Sequence, residues 1–206
     1  MNNKKLVIFD FDGVLANTLP FCFIIHKKNN PDFTWEKLRE ICMGNFLDGM
    51  KKEINDNNHK VPDTFYDDYT NEISKIGIQT ELRSLLKILH EKYLIVIVSS
   101  TPSNLIRDFL KKENIEQYFS EILGSDFHHN KTLKINSCLE KYGVEAKDAI
   151  FITDTLGDIK EANDCHVSSI GVTWGLHDRE TLERGNPIKI LDNPKDLLKE
   201  IEDVLG

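Results

Sequence analysis

The sequence predicts an α/β fold: a parallel sheet with helices on both faces, plus an all-helical insert. Three observations carry this. Short, unbroken apolar runs rich in β-branched residues recur along the chain. Amphipathic segments alternate with them. One long stretch, residues 16–79, contains no such run. Unbroken runs fit strands buried on both faces, as parallel strands are. Alternation of strand and helix is the signature of a parallel sheet joined by helical crossovers.

The first run is LVIF at 6–9. The insert follows. Helices are expected there from Thr18, from Thr34 to about Met43, from Phe46 to Ile54 and from about Asp63 to Ile76. Gly44 and Gly77 stand where helices can stop, though Gly44 can equally sit in a loop approaching a pocket; NDNNH at 55–59 reads as a polar loop. Next, Leu82, Leu85, Leu86 and Leu89 fall at i, i+3, i+4 and i+7, one apolar stripe of a helix. YLIVIV at 93–98 is the second strand. Thr101 is expected to cap a helix that has Pro102 at its first position and runs to about Lys112. EIL at 121–123 is a marginal strand. Residues 131–142 read as a helix that Gly143 ends in a left-handed turn. AIFI at 149–152 and SIGVT at 169–173 are further strands, and IKIL at 188–191 a weaker one. A last helix opens at Pro194 and runs to Leu205. This gives a Rossmann-like core from residues 1–15 and 80–206, with residues 16–79 as a separate helical cap.

The totals narrow the partners. The chain has 206 residues and a formal net charge of −8, and no basic stripe of the kind nucleic-acid binders carry, so no nucleic-acid partner is expected. The negative balance also argues against anionic membrane surfaces. No apolar run reaches the roughly 20 residues a membrane span needs, and the opening MNNKK leads to the first strand without a signal-peptide core. Cys22, Cys42, Cys138 and Cys165 show no C-x-x-C or Cys/His spacing, which fits reduced, mostly buried thiols in a cytoplasmic protein.

The chemistry sits where runs end in acids. The first strand ends in Asp10, with Asp12 two residues on and Gly13 free to make a tight turn. A second strand ends in Asp154, with Asp158 four residues later, one turn along a helix start. In open α/β sheets, ligands bind outside the carboxyl ends of the strands. If both strands are central, three or four carboxylates converge, a repulsive cluster that a hard cation such as Mg²⁺ offsets. Ser99, Ser100 and Thr101 end a third strand in hydroxyls ahead of a helix N-terminus, a place suited to an anion. Lys131 opens a helix and can neutralise a phosphate beside an acid. Read singly, each has a plainer account: a solvated turn, an ordinary cap, a surface lysine.

These motifs, in this order, resemble the haloacid dehalogenase superfamily of hydrolases, in its helical-cap phosphatase branch with phosphoglycolate phosphatase and β-phosphoglucomutase. DFDGVLANT at 10–18 is similar to the superfamily's first motif, Ser99 to the second, Lys131 to the third and DTLGD at 154–158 to the fourth; GVTWG at 171–175 is similar as well. The resemblance implies that Asp10 is the nucleophile, forming an aspartyl-phosphate, and that Asp12 is the general acid and then base. It implies that Mg²⁺ is held by Asp10, the Asp12 carbonyl, Asp154 and Asp158, and that Ser99 and Lys131 hold phosphoryl oxygens, with Ser100 beside them. The expected partner is a small phosphorylated metabolite, and the protein is expected to act as a monomer or homodimer. Thr153 departs from the superfamily's common glycine and is expected to narrow the pocket. Lys27, Lys28, Arg39, Lys51 and Lys52 in the insert are candidates to meet a second anionic group.

Rival readings fit less well. Superfamily dehalogenases lack the second aspartate that Asp12 supplies. A phosphomutase would use the same residues and stays open. A silent phosphate-binding regulator should have lost a motif acid. A dinucleotide enzyme should carry G-x-G-x-x-G after the first strand, where DFDGVL stands instead.

Overall fold

A computed structural model describes residues 5–206. Residues 1–4, which hold most of the MNNKK lead-in, lie outside the described residues. The first strand, β1 (Leu6–Phe9), is followed by four helices: α1 (Leu19–Asn29), α2 (Trp35–Ile41), α3 (Phe46–Asn57) and α4 (Phe65–Ile73). Regular alternation then begins: α5 (Thr80–Lys92), β2 (Leu94–Val98), α6 (Ser103–Lys112), β3 (Glu121–Leu123), α7 (Lys131–Tyr142), β4 (Ala149–Thr153) and α8 (Leu156–Asp164). It closes with β5 (Ser168–Val172), α9 (Arg179–Glu183), β6 (Lys189–Leu191) and α10 (Leu197–Leu205).

All strand pairings are parallel, in the order β3-β2-β1-β4-β5-β6. The two strands that end in acids, β1 and β4, are therefore central neighbours, with Phe9 opposite Ile152. Their alternation explains the unbroken apolar runs. Val7 and Phe9 face a layer built from the α5, α6 and α10 stripes, including Leu86, Phe109 and Ile201. Leu6 and Ile8 face the other layer, with Ile135 and Cys138 of α7 and Ala162 of α8. A strand wetted on one side would alternate instead. Among the described residues, no helix is long and apolar enough to cross a membrane. The four cysteines are free, three of them buried and Cys22 half-buried.

Several boundaries differ from the sequence expectation. The α6 helix starts at Ser103, with Pro102 as its cap. Thr101 does not cap it: the helix has no side-chain cap hydrogen bond, and the Thr101 hydroxyl is turned to Asp12, donating to its Oδ2 at 2.7 Å. The α3 helix runs on to Asn57, through the first three residues of the expected loop, and ends where Asn58 takes a left-handed φ of 53°. Gly44 and Gly77 end no helix: α2 stops at Ile41 and α4 at Ile73. Gly143 does close α7, at φ +64°.

The insert packs back onto the sheet layers. Phe21 of α1 and Tyr69 of α4 meet edge-on at 5.3 Å and share a buried cluster with Phe11. Phe33, Leu38, Ile41 and Met50 form a second small core with Leu176. Within the insert, His26 Nδ1 lies 3.0 Å from His59 Nε2, and the rings of Phe33 and Phe65 pack against His26. Burial, with His59 second, pushes His26 down to about 4. A histidine depressed in the fold stabilises above its unfolded value, near 6.5, and loses that contribution as pH falls towards 4. Wild type should therefore lose about 2 kcal/mol more than His26→Phe between about pH 7.5 and pH 5. Urea denaturation of both across that window measures it, and parallel curves would refute the account.

Candidate active site

The site forms where β1, β4 and β2 end side by side. Asp10 leaves β1 with its amide donating to Ile152 O of β4 at 2.9 Å. Its Oδ1 accepts from Phe11 N at 2.7 Å and lies 2.9 Å from Lys131 Nζ. The same ammonium donates to Asp158 Oδ2 at 2.7 Å. Lys131, Asp10 and Asp158 are all buried. One cation thus bridges an acid from each of two strand ends. Burial raises Asp10 well above the usual carboxylate range; Lys131 opposes this, and Asp158 and Asp154 add to it. Asp158 goes the other way: burial pushes it up, but Lys131 and the hydrogen bonds at its carboxylate win and hold it low. Lys131 is raised, its two acids outweighing its burial.

Asp154 is pushed up to about 7, chiefly by burial. Its Oδ2 accepts from Leu176 N at 2.8 Å, while its Oδ1 is buried with no hydrogen-bond partner among the described residues. Two glycines make room for this carboxylate. A Cβ on Gly13, whose φ is +77°, or on Gly175 would lie 2.2 Å from Asp154 Oδ2. Buried polar atoms are almost always satisfied, so an orphaned carboxylate oxygen needs an explanation. Among the described residues no three His, Cys, Asp or Glu side chains stand ready as a metal cluster. The donors nonetheless fit a hard cation: they are carboxylate oxygens, and one of them is buried and unpartnered.

Asp12 is held differently. Its Oδ1 accepts from Thr18 Oγ1 at 2.6 Å and Tyr69 Oη at 2.7 Å. Its Oδ2 accepts from Thr101 Oγ1 at 2.7 Å and Ser99 Oγ at 3.3 Å. Ser99 also accepts from Thr101 N at 3.0 Å and is fully buried, so Ser100 and Thr101, not Ser99, line the cavity above the acids. Thr153 is buried too and does not narrow the cavity. Its hydroxyl donates to Asp158 Oδ2 at 2.7 Å, which adds a second hold on that acid.

The insert reaches the site through residues 42–45. Gly157 N donates to Cys42 O at 3.1 Å, and a Cβ on Gly157 would lie 2.0 Å from Gly44 O. Gly44 therefore belongs to a loop at the cavity wall. Asn45 Nδ2 donates to Glu161 Oε1 at 3.0 Å, and the same oxygen accepts from Lys131 N at 2.8 Å. Of the five cationic candidates in the insert, none lines the cavity. Lys28 pairs with Asp68 at 2.6 Å, and Lys51 with Asp48 at 4.0 Å. Arg39 Nε donates to Leu176 O at 3.3 Å, Lys27 lies over the Phe23 ring, and Lys52 lies beside Glu53 in a separate groove. Each is drawn off by a nearer partner or points elsewhere.

Sequence reasoning placed Thr18 in the first motif without its bond to Asp12, and it missed Tyr69 and Lys134. Of these two, only Lys134 left a local signal. It lies three residues after Lys131 on the same helix face, and its buried ammonium donates to Ser99 O. Burial, then Lys131, lowers it to about 8.

A model of the haloacid dehalogenase-like hydrolases matches residues 7–172, and the chain belongs to that family. It is 23% identical to the phosphoglycolate phosphatase of Vibrio parahaemolyticus over 95% of both chains. It is 22% identical to that of Synechococcus elongatus over 98% of this chain and 99% of the other. Among solved structures, a hydrolase from Pseudomonas syringae superposes with a TM-score of 0.80 at 20% identity, covering 98% of this chain and all of the other. A haloacid dehalogenase-like hydrolase from Streptococcus pneumoniae does so with a TM-score of 0.78 at 21% identity, covering 97% and 99%. These likenesses establish a shared fold.

Proposed function

We propose that this chain, a phosphatase of the haloacid dehalogenase-like family, hydrolyses a small phosphate monoester with Mg²⁺ through an aspartyl-phosphate on Asp10. The observation that carries the reading is the buried Lys131 bridge between Asp10 and Asp158, 2.9 and 2.7 Å long, beside the unpartnered Asp154 Oδ1. A purely structural cluster would not leave a buried carboxylate oxygen unsatisfied.

The Asp10 carboxylate attacks phosphorus and becomes esterified, so the proton must move on a second group. Asp12, two residues away, is the second group: carrying a proton when the ester binds, it gives that proton to the leaving oxygen, and as a carboxylate steadied by hydroxyls it then takes one from the incoming water, which restores it for the next turnover. Lys131, with Ser100 and the amides at the start of α6, holds the phosphoryl oxygens as charge spreads over them. Asp10, the Asp12 carbonyl, Asp154 and Asp158 would hold Mg²⁺. When bound, the ion supplies positive charge that offsets both the acids and the phosphoryl group. Helices α1–α4 act as the cap that shuts out water, with the strandless joints near residues 16–18 and 77–80 as its hinges.

The test uses a proton-transfer variant and metal removal together. Asp12→Asn should lower kcat by about 10²- to 10⁴-fold, the usual worth of a positioned acid–base group. Wild type dialysed against a chelator should lose turnover and regain it on adding Mg²⁺. Full activity in the chelated enzyme would remove the metal from the reading. Undiminished kcat in Asp12→Asn would remove the acid–base role.

A further inference from the structure

The cavity above the acids is where the leaving group of a bound ester would lie, and its walls carry a chemical preference. Its volume is about 140 Å³. An engineered cavity of roughly 150 Å³ in another protein takes up benzene, so this cavity, which the phosphoryl group beside Asp10 and Lys131 also occupies, leaves the alcohol at most about one ring's room. Phe46, Leu47, Leu38, Phe65, Leu19 and Leu176 supply much of the wall.

Apart from Lys131, which the phosphoryl group engages, no cation among the described residues lines that wall to meet a second anion. Among the described residues, Lys131 is the only Lys or Arg that lines the cavity. Its ammonium is already shared by Asp10 and Asp158. His26 also lines the cavity, but burial and His59 keep it neutral at ordinary pH. The Tyr69 hydroxyl is donated to Asp12. The N-terminus of α3 offers little, because the Leu47 and Asp48 amides already donate to Asn45 Oδ1, at 3.1 and 3.2 Å. A carboxylate on the leaving group would enter this apolar space beside Asp10, Asp12, Asp154 and Asp158, all of which also line it. Burying an unpaired carboxylate among like charges is strongly unfavourable, whereas an apolar group there gains from leaving water.

We propose that the site selects phosphate monoesters whose alcohol portion is uncharged, apolar and no larger than one ring, and discriminates against phosphorylated carboxylates such as phosphoglycolate. The proposal rests on the phosphatase reading above and sets this chain apart from the activity its relatives are named for. At 22–23% identity, the catalytic acids can persist while the wall that meets the leaving group changes.

The experiment compares kcat/KM of the full chain with Mg²⁺ on benzyl phosphate, 4-carboxybenzyl phosphate and phosphoglycolate. All three release primary alcohols, so the comparison isolates charge and shape from leaving-group reactivity. Benzyl phosphate should exceed both carboxylates by about tenfold or more. In Leu47→Lys, which adds a cation to the wall, the ratio of benzyl phosphate to 4-carboxybenzyl phosphate should fall. Phosphoglycolate turned over as well as or better than benzyl phosphate by wild type would overturn the selectivity while leaving the phosphatase reading intact. If none of the three esters is hydrolysed while a generic aryl phosphate is, the selectivity proposal fails alone. If nothing is hydrolysed, the phosphatase reading fails and takes the proposal with it.

Discussion

Asp10→Asn should turn over phosphate monoesters at least about 10⁴-fold more slowly than wild type, and should unfold no more easily. The first half follows from chemistry: an amide cannot form the acyl phosphate, and four hydroxyls hold the Asp12 carboxylate in its own place. The second half follows from burial. The fold raises Asp10 well above the usual carboxylate range, so its ionised form is a burden on the folded state. A neutral amide of the same shape relieves that burden. Its oxygen can still accept from Phe11 N and Lys131, which keeps Asp158 as a second partner. Turnover and urea denaturation, run on the same preparation, measure both halves. Activity within tenfold of wild type would remove Asp10 as nucleophile.

Lys131→Met should be the reverse, a variant that loses stability as well as turnover. Met has similar length but no charge, so two buried carboxylates lose their shared cation. Removing one partner from a buried ion pair costs about 3–5 kcal/mol, because the remaining charge is stranded. Asp158 bears most of this, since Lys131 is the chief force holding it low against its burial. Asp10 can respond by staying protonated, as its raised position already favours. Without a cation on the phosphoryl oxygens, kcat should fall by a further 10²- to 10³-fold or so, the scale of losing one positioned donor to a charged transition state. Denaturation in metal-free buffer is the decisive readout. A loss below about 1 kcal/mol would mean that the bridge does not hold the site together.

The sheet was legible because of where its strands sit. β1, β2, β4 and β5 are interior strands covered on both faces, so water left no alternation in their sequences. β3 and β6, the weak runs, are the two edges, three residues each and partly exposed, so little apolar sequence is required of them. The insert was legible as helices but not in its boundaries, because polar residues 55–57 prolong α3 where composition suggested a loop.

The acids of the site were legible for a local reason: each pair lies within five residues at the end of a strand. What holds them was not. Tyr69 reaches Asp12 across 57 positions and Asn45 reaches Glu161 across 116. No periodicity encodes such pairings, which exist only once the insert folds back on the sheet. The same holds for the basic residues of the insert. Lys28 and Lys51 look available in sequence, but Lys28 pairs with Asp68 across on α4 and Lys51 with Asp48 one turn back on α3. Thr101 illustrates a competition that sequence cannot score. Its hydroxyl could turn its oxygen to the first amides of α6 or its proton to Asp12, and it is turned to the carboxylate, which makes the charge-assisted bond.

The central claim is that the carboxylate of residue 10 carries the phosphoryl group during turnover. Wild type mixed with substrate and Mg²⁺, quenched in the steady state and reduced with borohydride, tests it directly, because borohydride converts an aspartyl-phosphate to homoserine. Peptide mapping should find homoserine at position 10, and none when substrate is omitted. Steady phosphate release with aspartate intact at position 10 in every quenched sample, or with homoserine at another aspartate, would contradict the account.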